Sequence, residues 1–252
     1  GMHNILYVGP PGSGKTMMAK RMPTIMPDLE PDEIMELTKI YSVAGCLNDD
    51  MLMNERPFRA PHHSVTRAGL LGGGNVPRPG EMTRATNGVL FLDELTEFPQ
   101  AILESLRQPL EDRKIRIVRA TAEYTYPADF MLVAAMNPCK CGYYPDRTRC
   151  LCTEHDILRY MGRISQPIWD RFDLNVKVNK VEFSMLSQEE EDNDSQMTSE
   201  QMRDFIGRAR DIQKDRFKND NIHFNSQMSS RQVKKYCRLG DREKDIMEKA
   251  YC

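Results

Sequence analysis

The sequence predicts an α/β protein, a three-layer αβα core on a parallel sheet followed by a separate all-helical piece. Three observations predict it. Apolar runs of strand length alternate with helix-forming stretches through about residue 180. The first run, Ile5-Leu6-Tyr7-Val8, passes through a glycine-rich turn straight into the helix formers Met17 to Met22. The segment Ser187 to Gln196 is acidic and polar with no apolar residue, as expected of a solvated linker. The expected organisation is a core over 1–180, an acidic linker over 181–197 and helices over 198–252.

The elements follow in order. After the strand at 5–8, a helix is expected from Lys15 to Met22, stopped by Pro23. A second fits Pro31 to Val43, with proline at a first helical position, Gly45 past the end and an apolar stripe of Ile34, Leu37, Ile40 and Tyr41. Residues 46–87 are rich in Gly, Pro, Arg and His. They are expected to form a long loop-like insertion, a kind of segment that is usually functional or disordered. Val89 to Leu92 is a buried strand, Pro99 to Asp112 a helix, 114–126 a hairpin, Phe130 to Met136 another buried strand and Phe172 to Val178 a further one. Beyond the linker, Thr198 to Lys218 is helical, with Thr198 and Gln201 spaced as a capping box, and Arg231 to Cys252 is helical too. No internal repeat is present.

Composition narrows the function classes. A net charge of −2 gives no global basic character, so any nucleic-acid contact has to come from a local patch. No apolar run is long enough to cross a bilayer and no secretory signal opens the chain, so a cytoplasmic protein is expected. The abrupt start at Gly1 points to an excised domain.

Gly9-Pro10-Pro11-Gly12-Ser13-Gly14-Lys15-Thr16 matches the phosphate-binding loop pattern of P-loop NTPases, in the strand–turn–helix context the pattern requires. Its glycines let backbone N–H groups curl around a phosphate, and the helix N-terminus adds partial positive charge. Lys15 reaches the β/γ-phosphates of ATP and the Thr16 hydroxyl holds magnesium. Asp93-Glu94 ends the buried strand, as an acidic pair beside such a loop does. Asp93 then holds magnesium and Glu94 polarises the attacking water. Alone, that pair is equally a solvent-exposed strand end. Asn137 closes the next buried strand, where its amide either meets a phosphate or water or serves as a turn former before Pro138.

Cys139-Lys140-Cys141 and Cys150-Leu151-Cys152 place four of the seven cysteines in two C-x-C pairs. Four thiolates suit tetrahedral zinc, though the pairs are tighter than the common C-x₂₋₄-C spacing. Free thiols and disulfides remain the alternatives, with His155 a nearby substitute ligand. The paired His62-His63 point apart in a strand and make a poor metal pair. Positive charge concentrates in the insertion, at Arg56, Arg59, His62, His63, Arg67, Arg78 and Arg84, and around the hairpin, at Arg113, Lys114, Arg116 and Arg119. Alternation in Lys114-Ile115-Arg116-Ile117 puts both basic side chains on one face. Arg59, Arg67, Lys114 and Arg116 are the candidate DNA contacts, against the alternative of a solvated face.

Gly9 to Thr16, Leu90 to Glu94, Asn137 and Trp169-Asp170-Arg171-Phe172-Asp173 together resemble an AAA+ ATPase, more narrowly the magnesium chelatase subunit I branch. Arg56 to His63, Arg78 to Glu81 and Asn137 to Tyr144 resemble the ComM/YifB family within it. The resemblance runs from about residue 3 to the end. It implies a P-loop NTPase core with a partial AAA+ lid, Asn137 as the sensor that orients water, and Arg171 as an arginine finger reaching a neighbour's γ-phosphate. It also implies a homo-oligomeric ring, usually a hexamer. From the residues alone Arg171 fits a surface ion pair with Asp170 or Asp173. The chain departs from the family at its ends, with no Lon-like N-terminal domain, a short adenine-side segment and no sensor 2 arginine, Arg231 coming too early. The fragment is therefore expected to hydrolyse ATP weakly and to be largely monomeric. The implied function is an ATP-driven DNA translocase, a branch-migration helicase of the ComM type. The alternatives are a chelatase-like protein-remodelling ATPase and a non-catalytic nucleotide-gated scaffold, the latter disfavoured by intact Lys15, Asp93 and Glu94.

Overall fold

The computed structural model describes residues 2–47, 52–74, 77–119, 122–180 and 197–251. The acidic segment 187–196 lies outside the described residues. The described residues divide into two compact units, one covering His3–Ile206 and the other running from Gly207 onward.

The first unit is built on five parallel strands. They are β1 (Ile5–Val8), β2 (Phe58–Arg59), β5 (Val89–Leu92), β8 (Met131–Met136) and β9 (Leu174–Lys177), in the order β2-β5-β8-β1-β9. β5 and β8 are buried at every residue, as unbroken apolar runs covered on both faces should be. Leu6, Leu90, Leu92, Leu132 and Ala134 join Leu103, Leu106 and Ile168 in one core cluster. β9 is exposed along its length, consistent with its edge position. Asn4 stitches the sheet to the segment before β9. Its Oδ1 accepts from the Leu132 amide at 2.9 Å and its Nδ2 donates to the Arg171 carbonyl at 2.8 Å.

Helix α1 (Lys15–Ile25) runs through Pro23 rather than stopping there. The proline sits in the last turn, where its missing donor costs a single hydrogen bond and Met26 N still closes on the Pro23 carbonyl at 3.3 Å. Helix α2 (Pro31–Ala44) has the expected caps, Pro31 opening it and Gly45 in the left-handed region at φ 69°.

The insertion is ordered where it is described. It holds β2, α3 (Arg67–Leu71), the two-residue antiparallel pair β3 (Gly72–Gly73) and β4 (Arg78–Pro79), and α4 (Glu81–Arg84). Such short pieces leave no periodicity to read. Glycine is required in them: a Cβ on Gly72 would meet the Arg78 carbonyl oxygen at 2.5 Å.

The expected helix 99–112 is two, α5 (Gln100–Glu104) and α6 (Arg107–Asp112). Pro109 can neither donate to the Ser105 carbonyl nor fit its ring beside it, so the break falls there. The hairpin β6 (Lys114–Val118) and β7 (Glu123–Pro127) is as expected, with Ile115 opposite Tyr126. Helices α7 (Glu154–Met161) and α8 (Gln166–Trp169) were not evident in the sequence.

Helix α9 (Ser199–Arg216) begins in the first unit and ends in the second. Its capping box is formed, Gln201 N donating to Thr198 Oγ1 at 3.2 Å. The expected helix 231–252 is α10 (Ser230–Tyr236) and α11 (Asp241–Tyr251), interrupted near Gly240. In the second unit Phe217 meets Tyr236 edge to face, with ring centroids 5.5 Å apart.

Candidate functional site

β1 delivers the chain to the phosphate loop, and the loop's geometry depends on its glycines. A Cβ on Gly9 would lie 2.2 Å from the Val178 carbonyl oxygen, while Gly12 and Gly14 adopt φ 73° and 85°. Lys15, the first residue of α1, is buried. Its Nζ donates to the carbonyls of Gly9 and Pro10, both at 2.8 Å, and to Asn137 Oδ1 at 3.2 Å. Burial pulls the Lys15 pKa down, partly offset by the nearby Asp93 carboxylate. The Asn137 amide thus meets the phosphate loop from the end of the neighbouring strand β8.

Thr16 Oγ1 donates to Asp93 Oδ2 at 2.7 Å. Two oxygens this close fit adjacent positions around magnesium, where Mg–O distances of about 2.1 Å place neighbouring ligands about 3 Å apart. Glu94 has φ 52° and ψ 51°, a left-handed conformation that costs a non-glycine residue of order 1–3 kcal/mol. Its carboxylate faces open space, with His63 Nδ1 3.9 Å away.

These groups line one cleft of about 840 Å³, the size of a nucleotide site. It brings together Pro11, Gly12, Ser13, Gly14, Lys15, Thr16, Asp93, Glu94 and Asn137. His63, Glu97, Lys140 and Tyr160 also line it, and sequence reasoning assigned none of them to it. Tertiary structure brings these four, from 63 to 160, into the same cleft. For Glu97 and Lys140 a local signal existed, each standing three residues past a predicted site residue, Glu94 and Asn137.

Arg171 is not among the cleft's lining residues. Its guanidinium pairs with Glu111 of α6, not with Asp170 or Asp173, and its Nε is buried without a hydrogen-bond partner. Asp170 instead accepts from Gln166 Nε2, and Asp173 from the Asn4 amide.

The four clustered cysteines converge. Their sulfurs all lie within 4.8 Å of one another, with Cys139–Cys141 at 3.3 Å, Cys141–Cys150 at 3.5 Å and Cys139–Cys150 at 3.7 Å. None is disulfide-bonded. Tetrahedral zinc with Zn–S near 2.3 Å separates its sulfurs by about 3.8 Å, so the donor set fits. The Tyr143 amide, donating to Cys141, brings that thiol down to about 6. Burial pushes the Cys150 thiol up to about 12.

The basic candidates separate. Arg59 is held in a two-pronged pair with Glu81, at 2.6 and 3.0 Å. Arg56 is similarly enclosed, pairing with Glu33 and donating to the Pro27 and Asn87 carbonyls. Arg67, Lys114 and Arg116 are exposed. Ile115 is buried behind the two hairpin residues. The hairpin is joined to the insertion: Arg119 donates to the Gly74 carbonyl at 3.2 Å and Tyr126 to the Pro77 carbonyl at 2.8 Å.

A parallel sheet with a complete phosphate loop after β1, an acidic pair on the next strand but one and an asparagine on the strand between defines a P-loop ATPase core of the AAA+ class. Sequence comparison places it further. The profile of magnesium chelatase, subunit ChlI, matches residues 1–186, and that of the ChlI C-terminal region matches residues 196–252. The chain therefore belongs to the magnesium chelatase subunit ChlI family, on its ComM/YifB side. It is 42% identical to competence protein ComM of Haemophilus influenzae over 99% of its own length and 48% of that protein's. It is 41% identical to YifB of Escherichia coli K12 over 95% of its length and 46% of that protein's. The chain thus spans about half the length of the curated relatives it matches. Among solved structures, NtrX from Brucella abortus in complex with ATP aligns with 71% of this chain and 33% of its own, at 17% identity and a TM-score of 0.45.

Proposed function

We propose that this chain is the motor core of an ATP-driven DNA translocase, a branch-migration helicase of the ComM type. The core occupies 1–180, a linker 181–197 and a helical lid 198–252. The observation that carries the DNA reading is the hairpin. Lys114 and Arg116 stand on its exposed face while Ile115 anchors the other, and Arg67 lies exposed on the insertion to which the hairpin is bonded. Basic side chains so placed grip a phosphate backbone without reading its sequence.

In the cleft, Lys15 and the loop amides bind the β/γ-phosphates, and Thr16 and Asp93 hold magnesium. Glu94 takes up the proton of the attacking water, which Asn137 orients. Arg171 completes a neighbour's site in a homo-oligomeric ring of the full-length protein, a hexamer, and release of its Glu111 pair frees the guanidinium for that role. The four cysteines hold zinc as a small structural knuckle. The protein works in the cytoplasm, and among the described residues no helix is long and apolar enough to cross a membrane.

The test is the ATPase rate of the full-length protein with and without single-stranded or branched DNA. Stimulation that Lys15→Ala abolishes supports this reading. Robust ATPase indifferent to every DNA points instead to chelatase-like remodelling of a protein partner. For the knuckle, metal analysis of protein purified without chelator should find close to one zinc per chain, and under about a tenth of an equivalent overturns that assignment.

A further inference from the structure

We propose that Lys140 is a second cation of the nucleotide cleft, contacting the γ-phosphate alongside Lys15, and that the cysteine knuckle positions it by resting on the phosphate loop. This rests on the nucleotide reading above and goes beyond it in naming a residue and a means of positioning.

Lys140 lines the same cleft as Lys15, Asp93 and Glu94. Its side chain is exposed to that space and makes no hydrogen bond or ion pair with the described residues. Every other cation or carboxylate named in the cleft has a partner: Lys15 its carbonyls, Asp93 the Thr16 hydroxyl, Glu94 His63 and Glu97 Arg163. An unpaired ammonium facing a site for a polyanion is matched by the ligand itself.

The backbone on either side of Lys140 is fixed. Cys139 is fully buried, and the turn closes with Gly142 N donating to the Cys139 carbonyl at 3.0 Å. Gly142 has φ 85°, and a Cβ there would lie 2.5 Å from Pro11 Cδ. The knuckle therefore sits directly on the phosphate loop, at a contact only glycine permits. Asn137, three residues before Lys140, is bonded to Lys15. The turn that carries the lysine is thus tied to the loop at both ends.

Binding of the magnesium complexes of ATPγS and ADP to the intact chain, measured by calorimetry, tests this. Lys140→Ala should weaken ATPγS about tenfold, the range for losing one charge-assisted contact, and ADP less than about twofold. Lys140→Arg should restore most of the ATPγS affinity. Gly142→Ala should weaken ATPγS similarly, and the double variant should be no weaker than Gly142→Ala alone. Unchanged ATPγS binding by Lys140→Ala, or equal loss of ATPγS and ADP, overturns the assignment while the nucleotide reading stands. Additive losses in the double variant overturn the knuckle's part. A wild-type chain that binds neither nucleotide overturns the nucleotide reading itself.

Discussion

Lys15 and Glu94 differ in what their environments prepare them for. Lys15 is buried among carbonyl oxygens and the Asn137 amide, with its charge held at the phosphate loop. Lys15→Ala should lower ATP affinity roughly 100-fold, measured by calorimetry, because a buried charge-assisted contact is lost. Glu94 is turned out of the strand by a left-handed backbone, and His63 Nδ1 lies 3.9 Å from its carboxylate. Glu94→Gln should leave ATP affinity within a few-fold and lower kcat by about 10²–10⁴, since only proton transfer is removed. The cysteines offer a titration. In metal-free, reduced protein Cys141 is largely thiolate at pH 7 because its value lies near 6, whereas Cys150 stays protonated until strongly alkaline pH. Alkylation followed by peptide mass mapping should modify Cys141 first, at a rate that falls as pH drops through about 6. Added zinc should protect all four thiols.

At the scale of the element, the proposed DNA contact would divide stability from binding along a single strand of the hairpin. Ile115 belongs to the core cluster and Arg116, its neighbour, is exposed. Ile115→Ala should cost about 2–5 kcal/mol in denaturant unfolding. Arg116→Ala should change stability by no more than about 0.5 kcal/mol, yet weaken DNA binding and reduce its salt dependence by about one ion. Equal effects of both on stability would contradict this division. The hairpin was legible because β-branched and aromatic residues crowd 114–126, which is a local signal. The helix at 99–112 was legible as an apolar stripe, but its break required weighing Pro109 against the carbonyl four residues earlier. The insertion was the least legible. Its β2 is two residues long and is a strand only because β5 lies beside it, with Phe58 opposite Val89.

At the scale of the molecule, the placement of Arg171 outside the cleft gives a test of a shared site. If it acts on a neighbour's ATP, full-length Arg171→Ala and Lys15→Ala proteins should each be nearly inactive alone. Mixed together they should regain ATPase, since some interfaces then join an intact Lys15 to an intact Arg171. No recovery in rings shown to exchange subunits would place the arginine's role elsewhere.

The sequence by itself determined the sheet's buried strands, the phosphate loop and the acidic pair Asp93-Glu94. Each is written in contiguous residues whose spacing fixes backbone geometry. It also grouped the cysteines, since two C-x-C pairs need only one turn to meet. The tertiary structure alone decided which charges are free. Arg59 and Arg171 look as available in sequence as Lys140 or Arg116. The first two are paired to Glu81 and Glu111, carboxylates 22 and 60 residues away. Lys140 is left facing the phosphate loop because Gly142 seats its turn against Pro11. Charge pairing depends on distance through space, and sequence spacing carries that distance only within a helix, a strand or a tight turn.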